Sequence, residues 1–424
     1  MFRLRLQAGL ALLSIAGLLA SALVSFGAAQ ADLQRMATVS EPRAIAAADL
    51  YQALADLDAQ HADELVVGYS GAPVAPGQAP TLVDDGVFDE LTAQADQRRV
   101  SADLAVLAAA STAGDPTVQT LLDNLSLYDG RSGTEESSST DQADPIAGRP
   151  PELALDYYDM AEGQLQQSVL PQVRDLLAGA EQQVAVDRNA VRFDARLGAL
   201  LLGLLGIAAL ALLVWWQADL VRRFGRVVNP ALLPATALVL AVSAAGVPAL
   251  LGASAETGSA VSAGYTPYTV TAKALVETAD AEASESRWLV DDAFRPSLQQ
   301  QYTALMQTVS RQLAGGDATA PGLERTRTAY LAADARLRSL AGAGQPDQAS
   351  VALTGETRGD VAFAYYDFST HIDQLAQRQL AVTDGHLKSA ADDLSGWTVL
   401  LPVLLGLALL LVLQGVRPRL AEFG

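Results

Sequence analysis

The chain has 424 residues, of which half are apolar and 18% are charged, and its formal net charge is −20. A disordered acidic protein is excluded, because disorder requires low hydrophobicity as well as high charge. Nucleic acid is excluded as a partner, because binding it requires an excess of basic residues, whereas here 48 acids stand against 28 bases. The absence of Cys excludes disulfides, thiol nucleophiles and Cys-ligated metals, and only three His are present.

Four apolar stretches predict membrane-spanning helices. They cover residues 6–28, 197–216, 231–253 and 397–413, and none contains a charged residue. Their lengths are close to the roughly 20 residues that a helix needs to cross a bilayer. Trp215 and Trp216 end the second stretch and Trp397 begins the fourth, which suits the preference of aromatic rings for the headgroup level.

Basic residues indicate which ends of the spans face the cytoplasm. Arg3 and Arg5 precede the first span, three Arg lie between the second and third spans, and Arg417 and Arg419 follow the fourth. Because cytoplasmic loops carry the excess of Lys and Arg, we expect these three places to be cytoplasmic. The predicted order is a start and span 1 (1–31), an extracytoplasmic segment (32–196), span 2 (197–216), a cytoplasmic loop (217–230), span 3 (231–253), a second extracytoplasmic segment (254–394), span 4 (395–415) and a cytoplasmic tail (416–424).

The first span has a second interpretation. Ala29-Gln30-Ala31 has the pattern of a signal-peptide cleavage site and follows a start that contains Arg. The apolar run, however, is longer than the 7–15 residues of a signal-peptide core. This length favours a retained anchor at the plasma membrane, and both interpretations leave the two long segments outside.

The two halves of the chain share one plan of span, long segment and span. Leu50 follows Pro42 at the same offset as Leu275 follows Pro267, each in an Ala-rich helical pattern. We therefore expect an all-α protein with four transmembrane helices in two pseudo-repeats, each with an extracytoplasmic up-and-down helical bundle. Whether the halves pack as one bundle or two is left open. No convincing strand pattern is present, and Pro171 predicts a kink in the helix before span 2.

A Tyr-Tyr-Asp triplet near the end of each segment provides candidate aromatic residues. Tyr157, Tyr158, Tyr365 and Tyr366 suit either a ligand groove or the core of the bundle, and we favour the core. The residues from Asp129 to Pro151 are rich in Ser, Gly and acids and predict a mobile loop.

The first long segment opens with a helix that carries several polar residues. His61 lies on its apolar stripe, where a hydrogen-bonded core histidine is favoured over a metal ligand. Asp56, Asp58, Asp63 and Glu64 predict a solvent-facing side of the same helix.

The predicted cytoplasmic loop is the most informative polar segment. Its candidate contact residues are Arg222, Arg223, Phe224, Arg226 and Asn229. One interpretation is a topology signal with anionic-lipid contact, in which Asn229 and Pro230 cap span 3. The second, more specific interpretation is that these residues form a docking surface for an acidic cytoplasmic protein.

The sequence contains none of the patterns that mark an enzyme. It has no phosphate-binding Gly motif and no zinc-binding His pair, so we expect no catalytic, metal or cofactor site. A transporter would carry ionisable residues within its spans, whereas the four apolar stretches of this chain contain no charged residue. A chemoreceptor or histidine kinase would continue beyond span 4 with a large signalling module, and we expect none here. These exclusions leave a membrane relay as the predicted function.

Several segments support a family resemblance. LYQALADLDAQHADELVVGY follows span 1, MAEGQLQQSVLPQVRDLLAGAEQQ leads toward span 2, RRFGRVVNPALL enters span 3, and AYLAADARLRSLAGAG precedes span 4. In this order the chain resembles the actinobacterial GlnX-type membrane proteins. The resemblance implies a relay that passes the occupancy of GlnH, an extracytoplasmic lipoprotein binding glutamate, aspartate or asparagine, to the cytoplasmic Ser/Thr protein kinase PknG.

Two other functions stay open at this point. The extracytoplasmic bundle can instead bind a small molecule directly, as four-helix sensor domains do. Alternatively, the chain is a non-switching scaffold of a transporter or cell-envelope complex. A homodimer is also left open.

Overall fold

The computed structural model describes residues 2–75, 77–110, 116–140, 146–224, 231–314 and 322–421. The α-helices in these ranges are α1 (Phe2–Arg35), α2 (Glu41–Glu64), α3 (Val87–Ala110), α4 (Pro116–Thr140), α5 (Glu152–Gln164), α6 (Leu170–Phe224), α7 (Leu232–Ser259), α8 (Thr266–Val290), α9 (Arg295–Ala314), α10 (Leu323–Gly342), α11 (Pro346–Thr354), α12 (Val361–Leu394) and α13 (Trp397–Ala421). The strands are β1 (Gly68–Tyr69) and β2 (Leu82–Asp84), and π-helical turns cover Met36–Ser40, Leu165–Val169 and Ala260–Tyr265.

Four helical stretches are long and apolar enough to cross a membrane. They are Leu6–Glu64, Glu152–Arg222, Leu232–Val290 and Val361–Gly415, and each contains one of the apolar stretches found in the sequence. The predicted all-α fold class, with four candidate spans, is confirmed.

The chain divides into two compact units. The first, called here the apolar unit, consists of Met1–Ser40, Gln183–Gly264 and Val382–Gly424. The second, called here the polar unit, consists of Glu41–Gln182 and Tyr265–Ala381. The two long segments of the sequence therefore contribute to one compact unit rather than to two.

The apolar unit carries large apolar side chains on its outside as well as inside, where Phe26 and Trp216 are buried. Leu13, Leu204 and Val403 are among the exposed side chains. A Cβ atom added at Gly206 would lie 2.2 Å from the Ser243 Oγ atom, so α6 and α7 approach closely at small residues. The exposed apolar surface and the close helix approach suit lipid, because the driving force for helix association there is close packing rather than burial of apolar surface.

The polar unit is built around α2 and α8, which pack against each other. Most residues of both helices are buried, and Leu50 and Leu275, at equivalent offsets in the two halves, are buried in both. A helix buried on nearly all faces needs small side chains, which explains its many Ala residues and, in α8, its Ser and Thr. The α3 helix covers α2, α9 covers α8, and α4 packs against α5.

The structure differs from the predicted loop at Asp129–Pro151. The α4 helix continues to Thr140, so the prediction is wrong for the first part of this segment. Arg131 explains the difference, because its Nη1 atom donates to the Met160 carbonyl oxygen of α5 at 2.9 Å and to Gln164 Oε1 at 3.3 Å. Residues 141–145 of the predicted loop lie outside the described residues.

The sequence did not predict the short β-strand pair or the π-helical turn before Pro171. Strands β1 and β2 pair in an antiparallel arrangement, although the sequence showed no convincing strand. The π-helical turn Leu165–Val169 stands directly before Pro171, where the sequence predicts a kink. Proline cannot donate to the carbonyl of Gln167, four residues earlier, and a π-helical turn accommodates the missing hydrogen bond.

Candidate functional site

Two packed helices of the polar unit carry aspartates at intervals of seven residues. They are Asp49, Asp56 and Asp63 on α2, and Asp89, Asp96 and Asp103 on α3. Seven residues make nearly two helical turns, so each set lies along one helix face. The carboxylates act on one another across the helices in three pairs, namely Asp63 with Asp89, Asp56 with Asp96, and Asp49 with Asp103. These six residues are called here the acid ladder.

A cavity of about 570 Å³ lies along the acid ladder. It is lined by side chains of α2, α3, α8 and α12, including five members of the ladder: Asp49, Gln52, Asp56, Gln60, Asp63, Phe88, Asp89, Thr92, Ala95, Asp96, Arg99, Leu275, Glu282, Ala362, Tyr365, Tyr366, Ser369, Thr370, Asp373 and Gln377. Its volume falls within the range of small-molecule sites. This cavity is called here the acidic pocket.

The solvent-facing side predicted for α2 is wrong. Asp58 and Asp63 are only 2% and 1% exposed, and Asp56 and Glu64 are partly buried. The reason is that α2 is a central helix covered on its acidic side by α3. Asp63 accepts a hydrogen bond from the Ser286 hydroxyl of α8.

Burial changes the protonation of the acid ladder. Desolvation, with smaller contributions from Asp63 and Asp84, raises the pKa of Asp89 to about 9. Desolvation likewise raises the pKa of Asp63 and that of Asp96 to about 7. At neutral pH the pocket therefore holds carboxyl groups that keep or share protons, because a buried carboxylate lacks the solvation that it has in water.

A single basic residue, Arg99, lines the acidic pocket among the residues that the structure describes. Its Nη1 atom lies 2.9 Å from Asp96 Oδ1 and 4.0 Å from Asp56 Oδ2. Arg99 therefore favours the charged form of Asp96, against the larger effect of burial.

The structure separates the two predicted tyrosine pairs. Tyr365 and Tyr366 both line the acidic pocket; the Tyr365 hydroxyl donates to Asp56 Oδ1 at 2.5 Å, and Tyr366 is 60% exposed. Tyr158 is buried in a small cluster of apolar residues around α5, and Tyr157 is partly buried. A ligand role for these four residues stays a prediction, with only the second pair placed at a pocket.

His61 is a buried, neutral residue. Its Nδ1 atom lies 3.1 Å from the Tyr128 hydroxyl oxygen, and burial lowers the pKa of His61 to about 4. The prediction of a hydrogen-bonded core histidine is confirmed. Among the described residues, no group of three or more His, Asp or Glu is arranged to hold a metal ion.

The predicted cytoplasmic contact is described only in part. Arg222 is exposed near the end of α6, which continues through Arg223 to Phe224. Arg226 and Asn229 lie outside the described residues. The docking role of these five residues stays a prediction.

Sequence reasoning missed Asp49, Asp89, Asp96 and Arg99 as site residues. The available signal was the seven-residue spacing of Asp on two successive helical patterns. Such spacing is also common on exposed faces, and only the packing of α3 and α12 shows that these faces are covered.

Part of the chain matches a protein-family model. Residues 32–189 match the model of a family described as an actinobacterial sensor domain. All six residues of the acid ladder fall within this range. The match supports a membrane sensor or signalling role, and neither the curated proteins nor the solved structures gave a match.

Proposed function

We propose that the chain is a transmembrane signal relay, in which the polar unit receives a signal outside the cell and the helices pass it to a cytoplasmic protein. The observation that carries this proposal is helix continuity. Each candidate span belongs to a helical stretch that also contributes residues to the polar unit, as Glu152–Arg222 and Leu232–Val290 do.

The α6 helix is the clearest path for such a signal. It runs from Leu170 in the polar unit to Phe224 without a break. A shift of its first turns is therefore transmitted through the backbone to the Arg222 end. Couplings between distant sites are typically about 1–3 kcal/mol, which small displacements of packed helices supply.

The proposed orientation is tested by cysteine labelling. Because the chain contains no Cys, Gln348→Cys and Arg222→Cys each create one thiol at an exposed position. In intact cells, a membrane-impermeant maleimide is expected to label the first variant and not the second. Permeabilised cells serve as the control, since both variants should then react. If only the Arg222→Cys variant were labelled in intact cells, the chain would have the opposite orientation in the membrane, and the relay proposal would be wrong.

The partners of the relay are proposed from the family resemblance. Outside, the polar unit meets a solute-binding lipoprotein that recognises glutamate, aspartate or asparagine; inside, the Arg222 loop meets a soluble Ser/Thr protein kinase. The composition of the acidic pocket supports an indirect mechanism for glutamate and aspartate. Among the described residues, the pocket offers only Arg99 as a cation, and Arg99 already pairs with Asp96 and Asp56, so a separate carrier would have to bind these anionic ligands.

The cytoplasmic contact is tested by charge removal. We expect the triple variant Arg222→Gln, Arg223→Gln, Arg226→Gln to recover at least about fivefold less of the kinase in a pull-down from membranes, because charged contacts to an acidic surface are lost. The matched control is Arg35→Gln, Arg98→Gln, Arg358→Gln, which removes the same charge from exposed positions of the proposed outer side. Equal recovery of the kinase by the wild-type chain, the triple variant and the control variant would disprove the docking surface.

A further inference from the structure

Three arginines lie along one side of α6, directly before its apolar stretch. They are Arg188, Arg192 and Arg196, and the uncharged stretch 197–216 begins at the next residue of the same helix. Residues four apart are neighbours on a helix surface, so the three side chains form one continuous row. Arg196 is exposed, and Arg188 and Arg192 are partly exposed, so part of each side chain is accessible. These three residues are called here the arginine stripe.

The acids of the protein do not neutralise the arginine stripe. In the part of the chain that the structure describes, none of its three residues forms a salt bridge, and Arg188 donates to the Asn189 amide oxygen at 3.2 Å. The aspartates of the same part of α6 have other partners: Asp187 is buried and accepts hydrogen bonds, and Asp194 shares a hydrogen bond with Asp32. The stripe therefore keeps its positive charge in a chain with a net charge of −20.

The position of the stripe along α6 matches the level of lipid headgroups. A helix rises about 1.5 Å per residue, so Arg196 and Arg192 stand about 1.5 Å and about 7.5 Å before the apolar stretch. The headgroup layer on each side of a bilayer is about 5–8 Å thick. Leu200 and Ile207 follow Arg196 after nearly whole turns and are 57% and 67% exposed. One side of α6 thus offers positive charge at the level of the phosphates and apolar surface at the level of the acyl chains.

Membrane orientation does not explain the arginine stripe. In the proposed topology the stripe is extracytoplasmic, whereas the Lys and Arg residues that set the orientation of a membrane protein are cytoplasmic. Like charges four residues apart on a helix also repel one another. A partner that brings negative charge removes this repulsion.

We propose that the arginine stripe binds the headgroup of an anionic phospholipid. Arg196 and Arg192 donate to phosphate oxygens, because the planar guanidinium group can donate two parallel hydrogen bonds to one phosphate. Arg188 adds positive charge on the water side, and an acyl chain lies along Leu200 and Ile207. The site requires only the boundary between the polar and apolar parts of α6, so it does not depend on the proposed kinase contact or on the orientation of the spans.

The test needs a local reporter, because other basic residues also attract anionic lipids. Phe193 lies between Arg192 and Arg196 in the sequence and is 65% exposed, so Phe193→Trp places a fluorescent side chain beside the stripe. The background replaces the other Trp residues of the apolar unit, namely Trp215→Phe, Trp216→Phe and Trp397→Phe. The signal of Trp288 is subtracted by measuring the same background without Phe193→Trp.

The full chain is reconstituted in vesicles that mix phosphatidylcholine with phosphatidylglycerol, and one of the two lipids is brominated, since bromine quenches nearby Trp fluorescence. We expect the association constant of phosphatidylglycerol beside the reporter to exceed that of phosphatidylcholine at least about threefold. The variant without the stripe should show nearly equal constants; it carries Arg188→Gln, Arg192→Gln and Arg196→Gln. A matched control removes the same charge from exposed positions of the polar unit and should keep the preference; it carries Arg98→Gln, Arg325→Gln and Arg358→Gln.

Three results would overturn the proposal. Equal association constants of the two lipids beside an intact stripe would leave the stripe to an acidic protein instead. An unchanged preference in the variant without the stripe, with its helical circular dichroism preserved, would show that the arginines do not bind the lipid. A loss of preference in the control variant would show an effect of total charge. The variant Arg222→Gln, Arg223→Gln, Arg226→Gln separates this proposal from the kinase contact, since it should keep the lipid preference at the stripe.

Discussion

Replacing Arg287 by alanine is expected to lower the free energy of unfolding of the polar unit by about 3–5 kcal/mol. Arg287, on α8, is 7% exposed, and its guanidinium forms a salt bridge with Glu162 of α5. It also stabilises the charged form of buried Asp58, whose pKa burial raises to about 6. Removing the Arg287 guanidinium therefore leaves the carboxyl groups of Glu162 and Asp58 without its positive charge. This loss lowers the free energy of unfolding by more than the loss of a surface ion pair does.

The measurement needs a reporter in the polar unit alone. Of the four Trp residues, Trp288 lies in this unit and Trp215, Trp216 and Trp397 lie in the apolar unit. With those three changed to Phe, Trp288 fluorescence during urea unfolding reports the polar unit.

The control for this prediction is a surface ion pair of the same unit. Arg327→Ala removes a cation that pairs with the exposed Glu324, and it should cost at most about 1 kcal/mol. Equal losses for Arg287→Ala and Arg327→Ala would show that the buried salt bridge does not stabilise the fold.

The polar unit is expected to be more stable near pH 5 than near pH 8. Burial raises the pKa values of several carboxyl groups: to about 6 for Asp58, to about 7 for Asp63, Asp96 and Asp280, to about 9 for Asp89, and well above the ordinary value for Glu282 and Glu285. Between the ordinary pKa and these values, the folded unit binds protons that the unfolded chain has released. Stability therefore falls as the pH rises from about 4 toward 9.

His61 acts in the opposite direction over a narrower range. Burial lowers the pKa of His61 to about 4, so its contribution to stability increases as the pH rises from about 4 to about 6.5. The contribution of one histidine does not offset that of several buried carboxyl groups. Above about pH 6.5 the carboxyl groups alone set the slope.

Thermal unfolding followed by Trp288 fluorescence across this pH range checks the expectation. The double variant Asp63→Asn, Asp89→Asn should have a flatter profile, because two of the titrating groups are gone. Asp123→Asn, at an exposed position, should keep the wild-type slope. A wild-type midpoint that rises steadily up to pH 8 would contradict the assigned direction of the carboxyl shifts.

The spans and the central helices were predictable because each depends on a local signal. An uncharged run such as 197–216 satisfies the length requirement of a bilayer whatever its neighbours are. The same holds for α2 and α8, where Leu50 and Leu275 mark equivalent buried positions. These elements follow from composition and periodicity alone.

The acid ladder was not predictable in the same way, because burial is a property of neighbours. Asp63 on an isolated helix is a solvated side chain, whereas under α3 and beside Ser286 it becomes a buried acceptor. Likewise, α4 continues through a polar, Ser-rich stretch because Arg131 reaches the Met160 carbonyl of α5. Both contacts join residues far apart along the chain.

The pairing of α2 with α8 bears on the symmetry of the polar unit. The two helices hold equivalent places in two similar halves and pack against each other, yet they belong to one chain, so their sequences need not match as those of a symmetric dimer must. At the offsets from Pro42 where α2 carries Asp49, Asp56 and Asp63, α8 carries Ala274, Ala281 and Trp288 after Pro267. A single chain can therefore carry one acidic pocket beside α2, whereas a symmetric dimer would carry the same pocket twice.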